Sequence, residues 1–397
     1  IKDIDSKSRD TLNVKFRDKM ERLNVAVTDE KLGTYGTWSG GQSNQEAVIP
    51  LVFGEVFNYE PLLIDPSQLE YKFSLGQSEQ LLEVRDNGVP IYTSDGDTSG
   101  AIVNLANSTF KLTRNPAGTI TVSAQGTVKS LVIEGDTYTP INAYSNSVTH
   151  IIGTLVTEYG KAENQLDPAT ELDIYNPVAY NTPVGYLVQD RENLINVCSA
   201  IAGSVGGQLF FNRIGKLQML SLTDSVTDGG SITENDMVLN SFSIKLRTEV
   251  IGAVRLGYCK NWAVQTGLLT GIPESSKDSF ATEWLELLVT HADTINKYKL
   301  DTSAEMQETY LIKSDNMGGW AGGNNVQINE ADRRLNLFKI PRTVYKFTGI
   351  ASMLNLELGQ KVTLYHSRYG LSGGVLGIVV ALSPDWLNGK VDVEVFV

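Results

Sequence analysis

The sequence predicts an α+β, β-rich fold: several small β-sandwich- or barrel-like domains with an inserted strand–helix–hairpin module. Three observations predict it. Short runs of alternating apolar and polar residues recur with turn signals roughly every 8–12 residues, the spacing of sandwiches and barrels. Two stretches in the middle carry apolar residues at helical spacing instead. The chain has 397 residues, and that length suggests two to four domains. Its hydrophobic share is 41%. A folded chain of this size buries roughly three quarters of its unfolded surface, so a real core is expected rather than disorder.

Residues 1–47 read as the end of an upstream unit plus a connector. Thr11–Phe16 alternates at period two, and Gly33–Gly41 reads as an irregular loop. The chain opens Ile1-Lys2-Asp3 without a Met. We read this as the visible part of a longer chain, or a processed one.

Residues 48–135 read as a β domain. It starts with an apolar ribbon, Ile49 to Asp65 (IPLVFGEVFNYEPLLID), punctuated by Pro50, Gly54 and Pro61. Pro50 lacks a ladder donor, Gly54 suits a bend or a close backbone approach, and Pro61 biases Glu60 toward extended geometry. Leu51 and Phe53 are expected to be buried, between domains or against a neighbouring subunit. Asp86-Asn87-Gly88 is a hairpin signal between Leu81–Val84 and Val89–Tyr92. Thr109–Thr113 and Thr119–Ser123, joined by Asn115-Pro-Ala-Gly118, read as a second hairpin.

Residues 136–222 read as the α/β module. Apolar positions 148, 151, 152, 155, 156 and 159 define a helix, with Ser147 as N-cap and Gly160 just past its end. Val184–Val188 is a strand. Asp190 is the expected cap of a second helix with apolar positions 194, 197, 198, 201 and 205, ended by Gly206-Gly207. Leu209–Phe211 and Lys216–Leu220 form a hairpin about Asn212–Gly215.

Residues 223–397 read as a further β domain with one long helix over 280–300. Trp284, Leu287, Leu288, His291, Ile295 and Tyr298 would share that helix's face. Strands are expected within 240–262 and at Val344–Phe347, Lys361–Tyr365, Gly377–Ala381 and Lys390–Val397. A short helix is expected over Glu330–Phe338, and Gly318–Gly323 reads as flexible.

The formal net charge is −13. That argues against a grip on nucleic acid or an anionic membrane, since phosphate binding needs a basic face. No apolar run approaches the roughly 18 residues of a membrane helix, so stable membrane insertion is not expected. Cys198 and Cys259 are the only cysteines. Both sit in apolar patterns and read as core thiols, not a disulfide framework.

No catalytic, cofactor-binding or metal-binding residue can be singled out, and no cofactor is implied. His150, His291 and His366 have no second His at ligand spacing. His150 and His291 are expected on helices, half-buried. Gly370-Leu-Ser-Gly-Gly374 matches the nucleophile-elbow pattern, but a strand-like run follows it where a helix is required, so it reads as a hairpin turn. Asp95-Gly-Asp-Thr-Ser-Gly100 resembles the front of a calcium loop. Its twelfth position is Ala106 where a bidentate Glu is needed, so it reads as a polar connection. The five tryptophans (38, 262, 284, 320 and 386) are scattered.

Several motifs, taken in order, resemble one family. Pro50-Leu-Val-Phe-Gly54, then Asn58, Pro61, Asp65, Leu69 and Tyr71, follow a Tyr35-Gly36 connector. Next come Asp86-Asn-Gly-Val89, Phe110–Thr113, Pro116–Thr121, Gln125-Gly126, His150-Ile-Ile, Pro183-Val-Gly-Tyr186, Ile201–Gly207 and Phe211–Leu217. Pro341-Arg342, Leu358–Val362 and Arg368–Leu371 complete the run. The pattern resembles the baseplate hub, or tail-tip hub, proteins of tailed bacteriophages. Relative to that pattern, Gly318–Gly323 looks like an insertion. The resemblance implies an upstream β domain and a homotrimeric ring, a pseudo-sixfold wall that continues the tail tube and connects it to the tip. It implies a virion protein of the tail tip or baseplate, not an enzyme. Its partners would be the tail tube or distal tail protein, tip or fibre proteins and the tape measure. DNA would pass without specific binding, as an acidic wall permits. A receptor- or carbohydrate-binding tail-tip module is the alternative expectation, and a cell-wall hydrolase comes third.

Overall fold

In the computed structural model the described chain leaves out residues 1–2, 9–10, 16–17, 35–44, 135–136, 177–178, 180–181, 223–228, 269–271, 273 and 313–325. The Tyr35-Gly36 connector, most of the Gly33–Gly41 loop and the Gly318–Gly323 stretch therefore lie outside the described residues. The first strands, β1 (Asp3–Ser8) and β2 (Thr11–Lys15), pair antiparallel. A 3-10 turn at Lys19–Leu23 follows and buries Leu23.

The ribbon becomes β3 (Leu51–Tyr59) and β4 (Leu62–Asp65). Then come β5 (Glu70–Lys72), β6 (Ser78–Asp86), β7 (Val89–Thr93), β8 (Ala101–Asn104), β9 (Thr109–Leu112) and β10 (Ile120–Thr127). A hairpin of β11 (Lys129–Glu134) and β12 (Thr137–Asn142) leads to α1 (Val148–Glu158). After β13 (Leu172–Asp173) and β14 (Gly185–Val188) come α2 (Leu194–Gly203), β15 (Gly207–Phe211) and β16 (Leu217–Ser221).

The fold is β-rich α+β. A five-stranded sheet has the order β14-β3-β10-β6-β7, and a four-stranded sheet the order β4-β5-β9-β8. Both feed one core. Val52, Val56, Val84 and Val122 come from the first sheet, and Tyr71, Phe110 and Leu112 from the second. Along β3 the side chains alternate, as a strand requires. Leu51 and Phe53 join a different core, built on α1 and α2, while Val52 and Val56 join the sandwich. Leu51 and Phe53 are thus buried, in a core of the chain itself.

The turn at Asn87-Gly88 is a two-residue hairpin with φ of 52° and 81°, as the Asn-Gly pair demands. The expected second hairpin does not form. Strand β9 pairs with β5 and β8, whereas β10 pairs with β6 and β3. Asp86 holds the loop where the two strands diverge. Its carboxylate accepts from the Ala117 and Gly118 amides at 2.7 and 2.8 Å, tying the loop to the end of β6. There the chain crosses from one sheet to the other.

Helix α1 places Ser147 at its N-cap, but the Ser147 hydroxyl pairs with Thr149 and gives no side-chain cap. The cap of α2 is Asn193, not Asp190: Asn193 Oδ1 accepts from the Ile195 amide at 3.0 Å. The apolar positions 194, 197, 198, 201 and 205 are all fully buried. The helix ends at Gly203, and Gly207 already begins β15.

The last third holds β17 (Ser231–Ile232), β18 (Ser243–Arg247), β19 (Ala253–Tyr258), α3 (Glu274–Ala281), β20 (Leu285–Thr290), α4 (Ala292–Tyr298) and β21 (Met306–Glu308). Next are α5 (Val326–Phe338), β22 (Thr343–Gly349), β23 (Lys361–Leu364), β24 (Val375–Asp385) and β25 (Lys390–Phe396). Strands β22 to β25 join β17 and β18 in a six-stranded sheet around a third core.

The expected helix over 280–300 is instead α3, β20 and α4. Leu285, Leu287 and Val289 alternate with the exposed Glu286, Leu288 and Thr290, so the stretch also fits period two. Pairing with β19 along six residues decides between the two periods. His291 lies in no helix. It caps α4, its Nδ1 accepting from the Thr294 amide at 3.3 Å.

Candidate functional site

Three glycines of the resembling motifs meet at β3. Gly54 has φ +62°, and a Cβ there would stand 1.9 Å from the Val184 carbonyl oxygen. Gly185 lies opposite Gly54 in the ladder, and its Cβ would stand 1.7 Å from the Glu55 oxygen. A Cβ on Gly126 would stand 2.0 Å from the Val52 oxygen. These backbones approach too closely for any side chain. Motifs far apart in sequence thus fit one strand from both sides.

Beside this junction lies an aromatic cluster in which Tyr186 and Trp284 are buried and Trp262 and Tyr310 half-buried. Trp262 and Tyr310 stack at 6.0 Å, Tyr186 meets both edge-on, and Trp284 meets Tyr310 at 5.7 Å. Lys260 Nζ lies 4.3 Å from the Trp262 centroid, 5.1 Å from Trp284 and 5.7 Å from Tyr310. The Tyr186 hydroxyl donates to Glu192 at 2.7 Å. Burial, with Asp190 nearby, pushes the Glu192 carboxyl above its usual range despite that bond. Burial and the same carboxylate push the Tyr186 hydroxyl up strongly. The chain's own lysine fills this cage, so the cluster works as a joint between β14 and the connections that follow β19 and β21. Sequence spacing gave no sign of it, because its four rings come from four stretches of chain far apart in sequence: β14 and the connections after β19, before β20 and after β21.

The residues weighed for chemistry do not assemble. His150 sits in α1 with Nδ1 2.8 Å from the Ser145 hydroxyl, and burial lowers its pKa. Cys198 is fully buried and its thiol is pushed up by burial; Cys259 is half-buried, and no disulfide joins the two. The Asp95–Gly100 stretch is the connection from β7 to β8, where Asp97 accepts from the Ser99 amide at 2.9 Å. Among the described residues no group of three His, Cys, Asp or Glu could hold a metal ion.

Ser372 of the Gly370–Gly374 turn does come near a histidine and a carboxylate. It lines a solvent-open cavity of about 320 Å³ together with His366 and Glu234. The hydrogen bonding excludes a catalytic triad there. His366 Nδ1 accepts from the Arg368 amide at 2.9 Å, so in the neutral ring the proton is on Nε2. A triad base needs Nδ1–H held by the acid and a bare Nε2 toward the serine. Glu234, at 3.3 Å from that Nδ1, is held below the usual carboxylate range chiefly by hydrogen bonds from Ser367. Among the described residues it is the one carboxylate lining the cavity. The usual glycosidase arrangement uses two.

No family model matches the chain, and no curated protein does. Among solved structures the chain is similar to a chain in the virion of a native gene transfer agent particle. The identity is 12%, the match covers 93% of this chain and 90% of that one, and the TM-score is 0.47. It is similar to the 43 kDa tail protein of prophage MuSo2 from Shewanella oneidensis, at 13% identity over 88% and 93% of the two chains, with a TM-score of 0.33. It is also similar to the tail protein from Neisseria meningitidis MC58, at 10% identity over 88% and 96%, with a TM-score of 0.31.

Proposed function

We propose that this chain is a structural component of a bacteriophage tail tip or baseplate, a hub that continues the tail tube, joins it to the tip and lines a passage for DNA. Three copies form the ring. Its neighbours are the tail tube or distal tail protein, tip or fibre proteins and the tape measure. The role includes no catalytic step.

One observation carries the reading. The motifs that resemble tail hubs keep their order along the chain, and their glycines at 54, 126 and 185 close on a single strand. They therefore describe one folded unit, not scattered turns. The net charge of −13 supports a wall that phosphates slide past, because like charge disfavours contact. Light scattering on the purified chain at micromolar concentration, followed by electron microscopy, tests it. The expected result is a threefold ring with a central passage. A monomer, or a ring without a passage, overturns the proposal.

A second reading, a receptor- or carbohydrate-binding tail-tip module, is favoured by one observation. Tyr365 stays 38% exposed at the rim of the cavity beside Glu234. As a hydrolase the protein is expected to be inactive in a muralytic assay.

A further inference from the structure

The cavity sits at one end of the six-stranded sheet. One wall is the 3-10 turn Glu234–Asp236, and the other is the connection from β23 to β24. Its volume of about 320 Å³ lies in the range of small-molecule sites. The depression is open to solvent, so a ring seated in it keeps one side in water.

Contacts on both sides hold the walls in place. His366 stacks on Phe242 at 4.0 Å and 14°. The Ser367 amide donates to the Glu234 carboxylate, which ties the two walls together. The Tyr365 ring lies across Gly374, where a Cβ would come within 2.5 Å of it. Such preformed walls lower the entropy cost of binding.

The chemistry narrows the ligand. Among the described residues the lining offers hydroxyls, an amide, a carboxylate, the His366 imidazole and an exposed aromatic face, and no Lys or Arg. Arg368, the nearest cation in sequence, donates to the Tyr369 hydroxyl at 2.9 Å and lies over that ring. An anion would meet the Glu234 charge with no Lys or Arg in the lining to balance it, and His366 already lies against Glu234. A purely apolar ligand would leave the polar lining unpaired, which costs free energy. A neutral sugar satisfies both conditions. Its hydroxyls can donate to a carboxylate that has about four acceptor positions, and its C–H face can lie on the electron-rich face of a tyrosine.

We propose that this cavity binds one ring of a neutral saccharide, stacked on Tyr365 and hydrogen-bonded by Glu234, Asn235 and Ser372. The inference does not depend on the hub reading, since the cavity lies wholly within one chain.

Saturation-transfer NMR on the full chain tests it, with glucose, galactose, N-acetylglucosamine and rhamnose as separate probes at millimolar concentration. Transfer to the ring protons of at least one sugar is expected. Tyr365→Ala and Asn235→Ala both alter exposed side chains, so the fold is retained, as circular dichroism will check. Each is expected to weaken binding about fivefold or more, the cost of one lost contact of about 1 kcal/mol. Tyr175→Ala, at a tyrosine 50% exposed and outside the cavity, should leave binding unchanged. No transfer to any of the four sugars overturns the proposal, and so does transfer that survives intact in both cavity variants.

Discussion

At the scale of single residues, backbone approach and buried charge dominate. Gly185 is boxed in by the Glu55 carbonyl, while at Gly203, the end of α2, a Cβ would have nothing within 4 Å. Gly185→Ala is therefore expected to destabilise by more than about 2 kcal/mol, because backbone must move. Gly203→Ala should be neutral or stabilise by up to about 1 kcal/mol, the usual helix preference for Ala over Gly. Urea unfolding of the two variants measures the contrast; equal effects would contradict it. Glu330 in α5 is the second case. Its carboxylate, 4% exposed, binds Arg333 at 2.7 Å and Arg334 at 2.6 Å. Those guanidiniums in turn donate to the carbonyls of Val205, Gly203 and Ser204 at the end of α2, where a cation suits the helix dipole. Glu330→Ala removes the carboxylate that both guanidiniums share and should cost about 2–3 kcal/mol, the size of a lost charge-assisted hydrogen bond. A loss under about 1 kcal/mol in the same titration, the size of an exposed pair, would refute that account.

At the scale of elements, the N-terminal segment is held to the module by charge. Lys19 and Arg22 both pair with Glu171 at 2.8 Å. Burial alone would push the Glu171 carboxyl up. The Lys19 hydrogen bond, the Asp167 amide and the Arg22 charge outweigh it and hold the carboxyl below its usual range. A folded-state pKa that is depressed gives stability above the unfolded value, near about 4.3 for Glu, and loses it as pH falls through the folded value. Glu171→Gln should thus lower stability by about 1–3 kcal/mol at neutral pH. The gap to the parent protein should close as pH drops below about 4. Melting curves across that range decide it; a gap that persists in acid would contradict the assignment. Sequence patterns reach their limit at this scale. Residues 285–290 satisfy both the helical and the alternating period, and only the partner strand β19 selects one. Thr109–Ser123 has the turn chemistry of a hairpin, yet Asp86 holds its loop where the two strands part to different sheets.

At the scale of the whole molecule, an acidic chain of this kind is expected to leave DNA unretarded in a mobility-shift assay at physiological salt, whatever its oligomeric state. A retarded band would remove the passive-passage role. Of the candidate site, the sequence made legible only pieces. The Gly370–Gly374 turn was readable as a turn, but its approach to Glu234, far earlier in the chain, was not. The aromatic joint of Tyr186, Trp262, Trp284 and Tyr310 was equally hidden. What the sequence determined by itself was local: the β-rich class, the faces of α1 and α2, the Asn87-Gly88 hairpin and the burial of Leu51 and Phe53. Each follows from side-chain period, turn chemistry or steric freedom within a short stretch of chain. What only the tertiary structure decided was pairing. Which strand adjoins which, which of two periods prevails, and which distant polar groups share a cavity all depend on contacts between segments whose separation in sequence carries no local signal.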